Sequence, residues 1–244
     1  MAKIELRDCK IFLQDGLSGT GAVNQASPST GLSSIPVDAL ALNTAVATTV
    51  PVGARFTIAG ETGTPIHTVT AVTGTAPTTA ITFTPVTVAG VTDNAVITFL
   101  PRKIEIKVGD GNITYTEARE LTYELDRGAL DSVREGDSQP LAVNMNFVYE
   151  FVRTGTNLVI TPSDAIKGVG GAASWVSSSA DACEPYAVDV VIEHVPACAG
   201  AAAQPETTTF EDFRYDSLAF DLSAASIAVQ GRCNRTEATV VRVS

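Results

Sequence analysis

Residues 141–151 read Leu-Ala-Val-Asn-Met-Asn-Phe-Val-Tyr-Glu-Phe, and the reading of this stretch decides the fold class. Leu141, Val143, Met145, Phe147, Tyr149 and Phe151 fall on one side of an extended chain; Ala142, Asn144, Asn146, Val148 and Glu150 fall on the other. Strict alternation over this length is the period of a β-strand, and it predicts a sheet with one face on a core and the other facing water. Upstream, Leu121, Tyr123 and Leu125 separate in the same way from Glu120, Thr122, Glu124 and Asp126. Ile104, Ile106 and Val108 share a face, and Gly-Asp-Gly-Asn at 109–112 is a turn leading into 113–125.

The same periodicity extends to both ends of the chain. Residues 3–13 alternate, and further strands are expected at 187–195, 207–210, 213–221, 226–233 and 238–243. One short helix is expected over 162–168, capped by Ser163 or Asp164 and ended by Gly168. With no long amphipathic helical pattern, the chain reads as mainly β.

Composition divides this β protein in two. Residues 16–101 carry only four charged side chains, Asp38, Arg55, Glu61 and Asp93, while the flanks are densely charged. The low-charge block opens with a Gly, Ser and Pro-rich stretch read as a linker over 16–39. It continues as short Thr, Val and Ala-rich strands over 40–101, a small inserted β domain. Residues 1–15 and 102–244 then form the main domain, a β-sandwich with the short helix.

At 244 residues, with 45% apolar side chains, the chain is large enough for a sizeable core and is not a disordered polymer. Sixteen Lys and Arg against 27 Asp and Glu leave a net charge of −11, the wrong sign for wrapping nucleic acid or adhering to an anionic membrane. No run of 18 apolar residues is present, and the charged start of the sequence predicts no secretory signal. The four cysteines are accordingly expected as mostly buried thiols, Cys183 and Cys198 being the pair that flanks one predicted strand.

Catalytic signals are sparse. His67 and His194 lie in different compositional blocks and in no metal-ligand spacing; His67 reads as a solvent-facing strand residue and His194, beside Glu193, as an exposed or rim one. No Gly-x-Ser-x-Gly elbow occurs. The carboxylates from Glu120 to Glu150 fit a solvated acidic sheet face better than an acid/base pair, because a glycosidase site needs aromatic platforms and the chain has one tryptophan, Trp175. No enzyme activity, cofactor or metal is expected.

The strings at 109–152, 183–198 and 207–242, with the opening Ile-Glu-Leu-Arg-Asp-Cys-Lys-Ile-Phe-Leu-Gln-Asp-Gly, together resemble the major tail tube protein of long-tailed, non-contractile, siphovirus-type bacteriophages. The resemblance covers nearly all of the charged block, and the 40–101 insertion departs from a minimal tube subunit. It implies a β-sandwich with a flanking helix, forming hexameric rings that stack into a tube walled by four strands per subunit. About 24 strands, about 4.8 Å apart and tilted about 40°, close to a bore of roughly 45–50 Å backbone diameter.

On that resemblance, Glu120, Thr122, Glu124, Asp126, Asn144, Asn146 and Glu150 are lumen-facing candidates. An acidic or neutral wall lets DNA slide where a basic one would hold it. The connection over 127–140, with Arg127, Asp131, Arg134, Glu135 and Asp137, is either a ring-stacking loop or a solvent-exposed hairpin tip. The implied partners are the chain itself, a tape-measure protein, and tail terminator or distal tail proteins, with DNA passing through and no membrane. The implied location is the virion tail, assembled in the host cytoplasm. A different class, a β-rich surface adhesion or carbohydrate-binding module, also suits Thr-rich strands and an acidic chain, although the single tryptophan weighs against it.

Overall fold

The structure, a computed structural model, describes residues 8–25, 30–44, 47–74, 79–88, 90–109, 111–154, 158–181, 183–194 and 205–242. It is mainly β with one short helix, as the alternation predicts. In chain order the first strands are β1 (Cys9–Gln14), β2 (Gly19–Val23), β3 (Ser34–Leu42), β4 (Arg55–Ile58), β5 (His67–Thr73), β6 (Thr79–Thr84), β7 (Val96–Leu100) and β8 (Lys103–Ile106). There follow β9 (Ile113–Thr116), β10 (Arg119–Asp126), β11 (Ala129–Ser138), β12 (Ala142–Val148), β13 (Val152–Thr154), β14 (Leu158–Ile160) and helix α1 (Pro162–Lys167). The last strands are β15 (Val188–His194), β16 (Glu206–Asp221), β17 (Ser226–Arg232) and β18 (Thr239–Arg242).

The chain divides into two compact units, one comprising 1–13, 105–150 and 187–244, the other 14–104 with 151–186. The first is built on an eight-stranded sheet in the order β8-β1-β15-β16-β17-β12-β9, with β18 also pairing β16. β16 ties it together. Its first half pairs β15 and β18 and its second half pairs β17, and between them Asp212 adopts a left-handed φ of 55°. The Asp212 N–H donates to Asp189 Oδ1 at 3.0 Å, so the bend is fixed by a side chain where the strand ladder is interrupted. This continuous strand replaces the two expected at 207–210 and 213–221.

In the second unit, β2-β3-β6-β5-β4-β7 close into a six-stranded barrel. Inward positions alternate along each strand, Thr79, Ile81 and Phe83 on β6 and Ile97 and Phe99 on β7 being buried. These side chains fill the interior together with Phe56, whose ring meets Phe83 edge-on at 5.2 Å.

Two sequence expectations change here. The stretch 16–39 is not a linker, because it supplies all of β2 and part of β3. Its glycines serve close packing: a Cβ on Gly19, at φ 141°, would collide with the Ala41 carbonyl across the β2–β3 pair. Residues 151–186, expected in the flanking domain, group with the barrel instead. The helix lies where expected, but Thr161 is its N-cap, in a capping box with Asp164, and Gly168 ends it at φ 64°.

The two ends of the barrel segment are joined by a buried ion pair. Asp15, fully buried, accepts the Arg102 Nε–H and backbone N–H at 2.7 Å each, and also the N–H groups of Leu17 and Val176. Arg102 also donates through Nη1 to Ser174 Oγ at 3.0 Å. Burial pushes the Asp15 carboxyl above its usual range, against the opposing pull of Arg102 and the N–H donors. Replacing Asp15 by alanine strands the Arg102 guanidinium, so Asp15→Ala is expected to cost this unit about 3–5 kcal/mol. Thermal unfolding of the variant checks this, and a loss under about 1 kcal/mol would contradict the clasp role.

Candidate assembly surfaces

Strands β9, β12, β17 and the second half of β16 form a four-stranded wall with two different faces. Residues directly opposite one another in paired strands share a face. One face carries the rows Thr114–Asn144–Gln230–Ser217 and Thr116–Ala142–Arg232–Arg214, with Asn146, Ala228 and Ala219 alongside. It is rich in hydroxyls and amides and faces outward: Asn144, Asn146, Gln230 and Arg232 are all exposed. The opposite face carries Val143, Met145, Phe147, Ile227 and Val229, all buried.

That apolar face runs out uncovered at both edges of the wall. Tyr115 on β9 remains 48% exposed, and Tyr215 and Phe220 on β16 remain 42% and 44% exposed. Among the described residues, the strand neighbour of β9 is β12 and that of residues 214–221 of β16 is β17, so these two segments are the edges of the wall. Exposed apolar side chains on the edge strands of a sheet are the conditions under which a further strand adds to it.

The second surface is a two-stranded hairpin in which, among the described residues, β10 pairs with β11 alone. Its turn is Arg127–Gly128, both with positive φ (50° and 84°), the geometry of a two-residue turn whose twist matches the strands. Residues 127–140 are therefore mostly strand, not the long connection expected. The apolar side chains of 121–125 do not face the core either: Leu121, Tyr123 and Leu125 are 45%, 56% and 66% exposed, joined on that face by Leu130 and Val133. An isolated two-stranded ribbon is marginal in water, so this stripe is a surface in want of a cover.

The seven lumen candidates thus separate. Asn144 and Asn146 lie on the polar face of the wall. Glu120, Thr122, Glu124 and Asp126 lie on the hairpin, where Glu124 accepts from Ser132 Oγ at 2.9 Å and pairs Arg134 at 3.3 Å. Glu150 follows β12 and pairs Lys107 at 3.0 Å. Of the stacking candidates, Arg127 is the tip residue, its side chain 93% exposed, with Asp126 no nearer than 4.0 Å. Asp131 occupies the bulge beside the turn, and Glu135 pairs Arg119 at 2.7 Å. Asp137 lines a cavity of about 420 Å³ at the hairpin base, with Glu117, Glu120, Glu135 and Glu237 around Arg119.

Sequence reasoning missed Gln230, Arg214 and Arg232 on the polar face and Tyr115, Tyr215 and Phe220 at the edges. The alternation Ser-Ile-Ala-Val-Gln-Gly-Arg over 226–232 carries the signal for Gln230 and Arg232. The edge positions have none, because edge status is set by pairing across the whole chain.

The titratable groups elsewhere are structural. His67, expected at the surface, is fully buried inside the barrel, its Nε2 2.7 Å from Glu61 Oε2 and its Nδ1 2.8 Å from the Pro85 carbonyl. A carbonyl only accepts, so Nδ1 carries a hydrogen; Glu61 Oε1 in turn accepts the Val88 N–H at 2.7 Å. His194 is half-buried near one end of β15. Among the described residues no group of three or more His, Cys, Asp or Glu side chains is placed to hold a metal ion.

Cys9, Cys183 and Cys233 are free thiols, and Cys198 lies outside the described residues. Cys183 is exposed and Cys233 is 2% exposed. Burial, with the nearby charges of Asp189 and Asp212, pushes the Cys233 thiol up to about 12. About one Cys233 thiol in ten thousand is then ionised at pH 8, and the thiolate is the reacting form. Alkylation mapped by mass spectrometry is expected to label Cys183 in the folded protein and Cys233 only after unfolding; equal labelling rates would contradict this.

Comparison of the chain with protein-family models, with curated proteins and with solved structures finds no match.

Proposed function

We propose that the chain is a self-assembling structural subunit of a bacteriophage tail tube, a conduit through which DNA passes. The observation that carries this reading is the four-stranded wall, apolar behind, uncharged over most of its front and open at two unlike edges. When β9 of one copy meets the second half of β16 of the next, the two edges of the wall and the exposed rings of Tyr115, Tyr215 and Phe220 are covered together. Two different edges make this a head-to-tail contact, and head-to-tail contacts close into rings when the rotation permits. Six copies, the number the sequence resemblance implies, would supply the four-strand contributions of a complete bore.

The bore so formed is near neutral instead of acidic. Hydroxyl and amide side chains dominate the polar face, and of its two arginines, Arg214 and Arg232, the latter lies 3.3 Å from Asp216. A wall with few net positive charges releases few counterions on meeting DNA and therefore holds it weakly, which suits passage. The hairpin carries the stacking role: eight residues of β10 reach about 26 Å from base to tip. The stacking contact assigned on this reading is the Arg127 guanidinium of one ring with the acidic cavity at the hairpin base of a copy in the next. Negative-stain microscopy of the purified protein tests the reading: hollow tubes support it, and a persistent monomer at high concentration refutes it.

A further inference from the structure

Glu61 and His67 are buried together where β5 begins, with side chains 1% and 0% exposed, and the assembly surfaces use neither. The rings of Phe56 and Phe83 flank the imidazole, 5.2 and 4.9 Å away between ring centres. The elements packed against the ring bring no ionisable group to it besides Glu61. β6 and residues 85–88 carry none, and the loop 59–66 carries Glu61 alone. Arg55 on β4 alternates with the inward Phe56 and donates to the Pro101 carbonyl at 3.3 Å.

Three hydrogen bonds fix how many protons the pair holds. Nδ1 donates to the Pro85 carbonyl at 2.8 Å, Nε2 and Oε2 share a hydrogen across 2.7 Å, and Oε1 accepts the Val88 N–H at 2.7 Å. The pair is therefore neutral as a whole, whichever atom owns the shared hydrogen. Removing one proton leaves two lone pairs facing each other, at the Glu61 contact or at the Pro85 contact. Adding one sets two hydrogens against each other, at Oε2 or before the Val88 N–H. In a site closed to water, solvent relieves neither mismatch.

Those contacts hold one segment of chain. Pro85 and Val88 are its ends, tied to the pair, and between them Thr87 exchanges bonds of 2.9 Å with Gly31 and Leu32. Val86 and Val88 are 48% and 66% exposed, so apolar burial adds little to these ties. The facing loop carries Thr64 at a φ of 43°, a costly conformation for a β-branched residue, and the buried Glu61 side chain anchors that loop.

We propose that the Glu61–His67 pair is a proton-operated latch, which closes residues 85–88 against the loop 59–66 when it shares one hydrogen and opens them when it loses or gains a proton. Thr87 is the pivot. The latch lies in the barrel-bearing unit and is independent of tube formation.

The sign of the pH dependence follows from an unfolded chain in which a glutamate titrates at about 4.3 and a histidine at about 6.5. Above about pH 6.5 the unfolded chain holds one proton fewer than the closed latch, so the stability the latch contributes falls as pH rises. Below about pH 4.3 the unfolded chain holds one more, and that stability falls as pH drops.

Glu61→Gln separates the latch from ordinary packing. A glutamine amide N–H donates to a neutral Nε2, its carbonyl accepts the Val88 N–H, and the Nδ1–H keeps Pro85, so every bond survives with no shared proton to lose. Urea unfolding is followed by the fluorescence of Trp175, the one tryptophan of the chain and a residue of the same unit. Between about pH 6.5 and about pH 8.5 the folding constant of the unmodified chain is expected to fall at least about tenfold more than that of Glu61→Gln. Parallel profiles overturn the proposal. The unmodified chain supplies a second readout by ¹⁵N NMR: the His67 ring nitrogens and the Val88 amide are expected to shift together as pH is varied from about 4 to about 9. Ring nitrogens that titrate while the Val88 amide stays fixed, or that do not titrate in that range, overturn it as well.

Discussion

Excising the hairpin over residues 119–138 and bridging the gap with a short Gly-Ser turn is expected to abolish axial growth while single rings or folded subunits persist. Among the described residues the hairpin pairs with no other strand, and Leu121, Tyr123, Leu125, Leu130 and Val133 contribute exposed surface instead of core. Its removal is therefore expected to change the melting free energy by less than about 1 kcal/mol. A finer version reverses one charge. Arg127→Glu brings a carboxylate towards the cavity of Glu117, Glu120, Asp137 and Glu237, where like-charge juxtaposition costs several kcal/mol per contact. Adding Glu237→Arg to the same chain is expected to restore growth in part. Tubes of unchanged length distribution in the excised variant would remove the stacking role from the hairpin altogether.

Blocking the wall's edges is expected to have the second large effect, and a different one. Tyr115→Asp and Phe220→Asp each place a charge where a ring now stands 48% or 44% exposed; each also gives up a ring contact within the subunit, to Phe210 at 5.0 Å or Tyr149 at 5.7 Å, so the melting temperature of each variant is measured to confirm that it folds. Between copies the same carboxylate is desolvated beside an incoming strand, the device natural sheets use to prevent edge pairing. Either substitution is expected to leave a monomer at concentrations where the unmodified chain forms rings, measured by sedimentation velocity. The hairpin variants would stop at rings and the edge variants before them, which distinguishes lateral closure from stacking. Rings that form normally from both edge variants would show that β9 and β16 do not meet.

How far the sequence could be read depended on what each pattern encodes. Alternation over 141–151 marks the two-faced strand β12 over Ala142–Val148, where Val143, Met145 and Phe147 are buried, but it runs past the strand's end: Phe151, expected on the core face, is 76% exposed. The identical pattern over 120–126 predicted a buried face and met water. Periodicity says that two faces differ, not that the same chain covers the apolar one. The Gly and Ser content of 16–39 suggested slack chain, yet glycine also marks close backbone approach, as at Gly19, and composition does not separate the two. His67 reads as a surface residue because strand parity within a Thr-rich stretch is ambiguous. The available clue was Glu61 six residues earlier, a rare charge in an uncharged block, because buried charges are kept when they are paired. The candidate site was the least legible part. Asn144 and Asn146 could be placed on a polar face, whereas the edge residues Tyr115 and Phe220 emerge only from the order in which distant strands pair.

Cryo-electron microscopy of the unmodified protein, concentrated until sedimentation reaches equilibrium, tests self-assembly through the wall most directly. The expected image is a hollow tube in which β9 of each subunit lies beside the 214–221 half of β16 in its neighbour, with Asn144, Asn146 and Gln230 lining the bore. A lone monomer across the whole concentration range, or a tube whose bore is lined by the barrel, would contradict it.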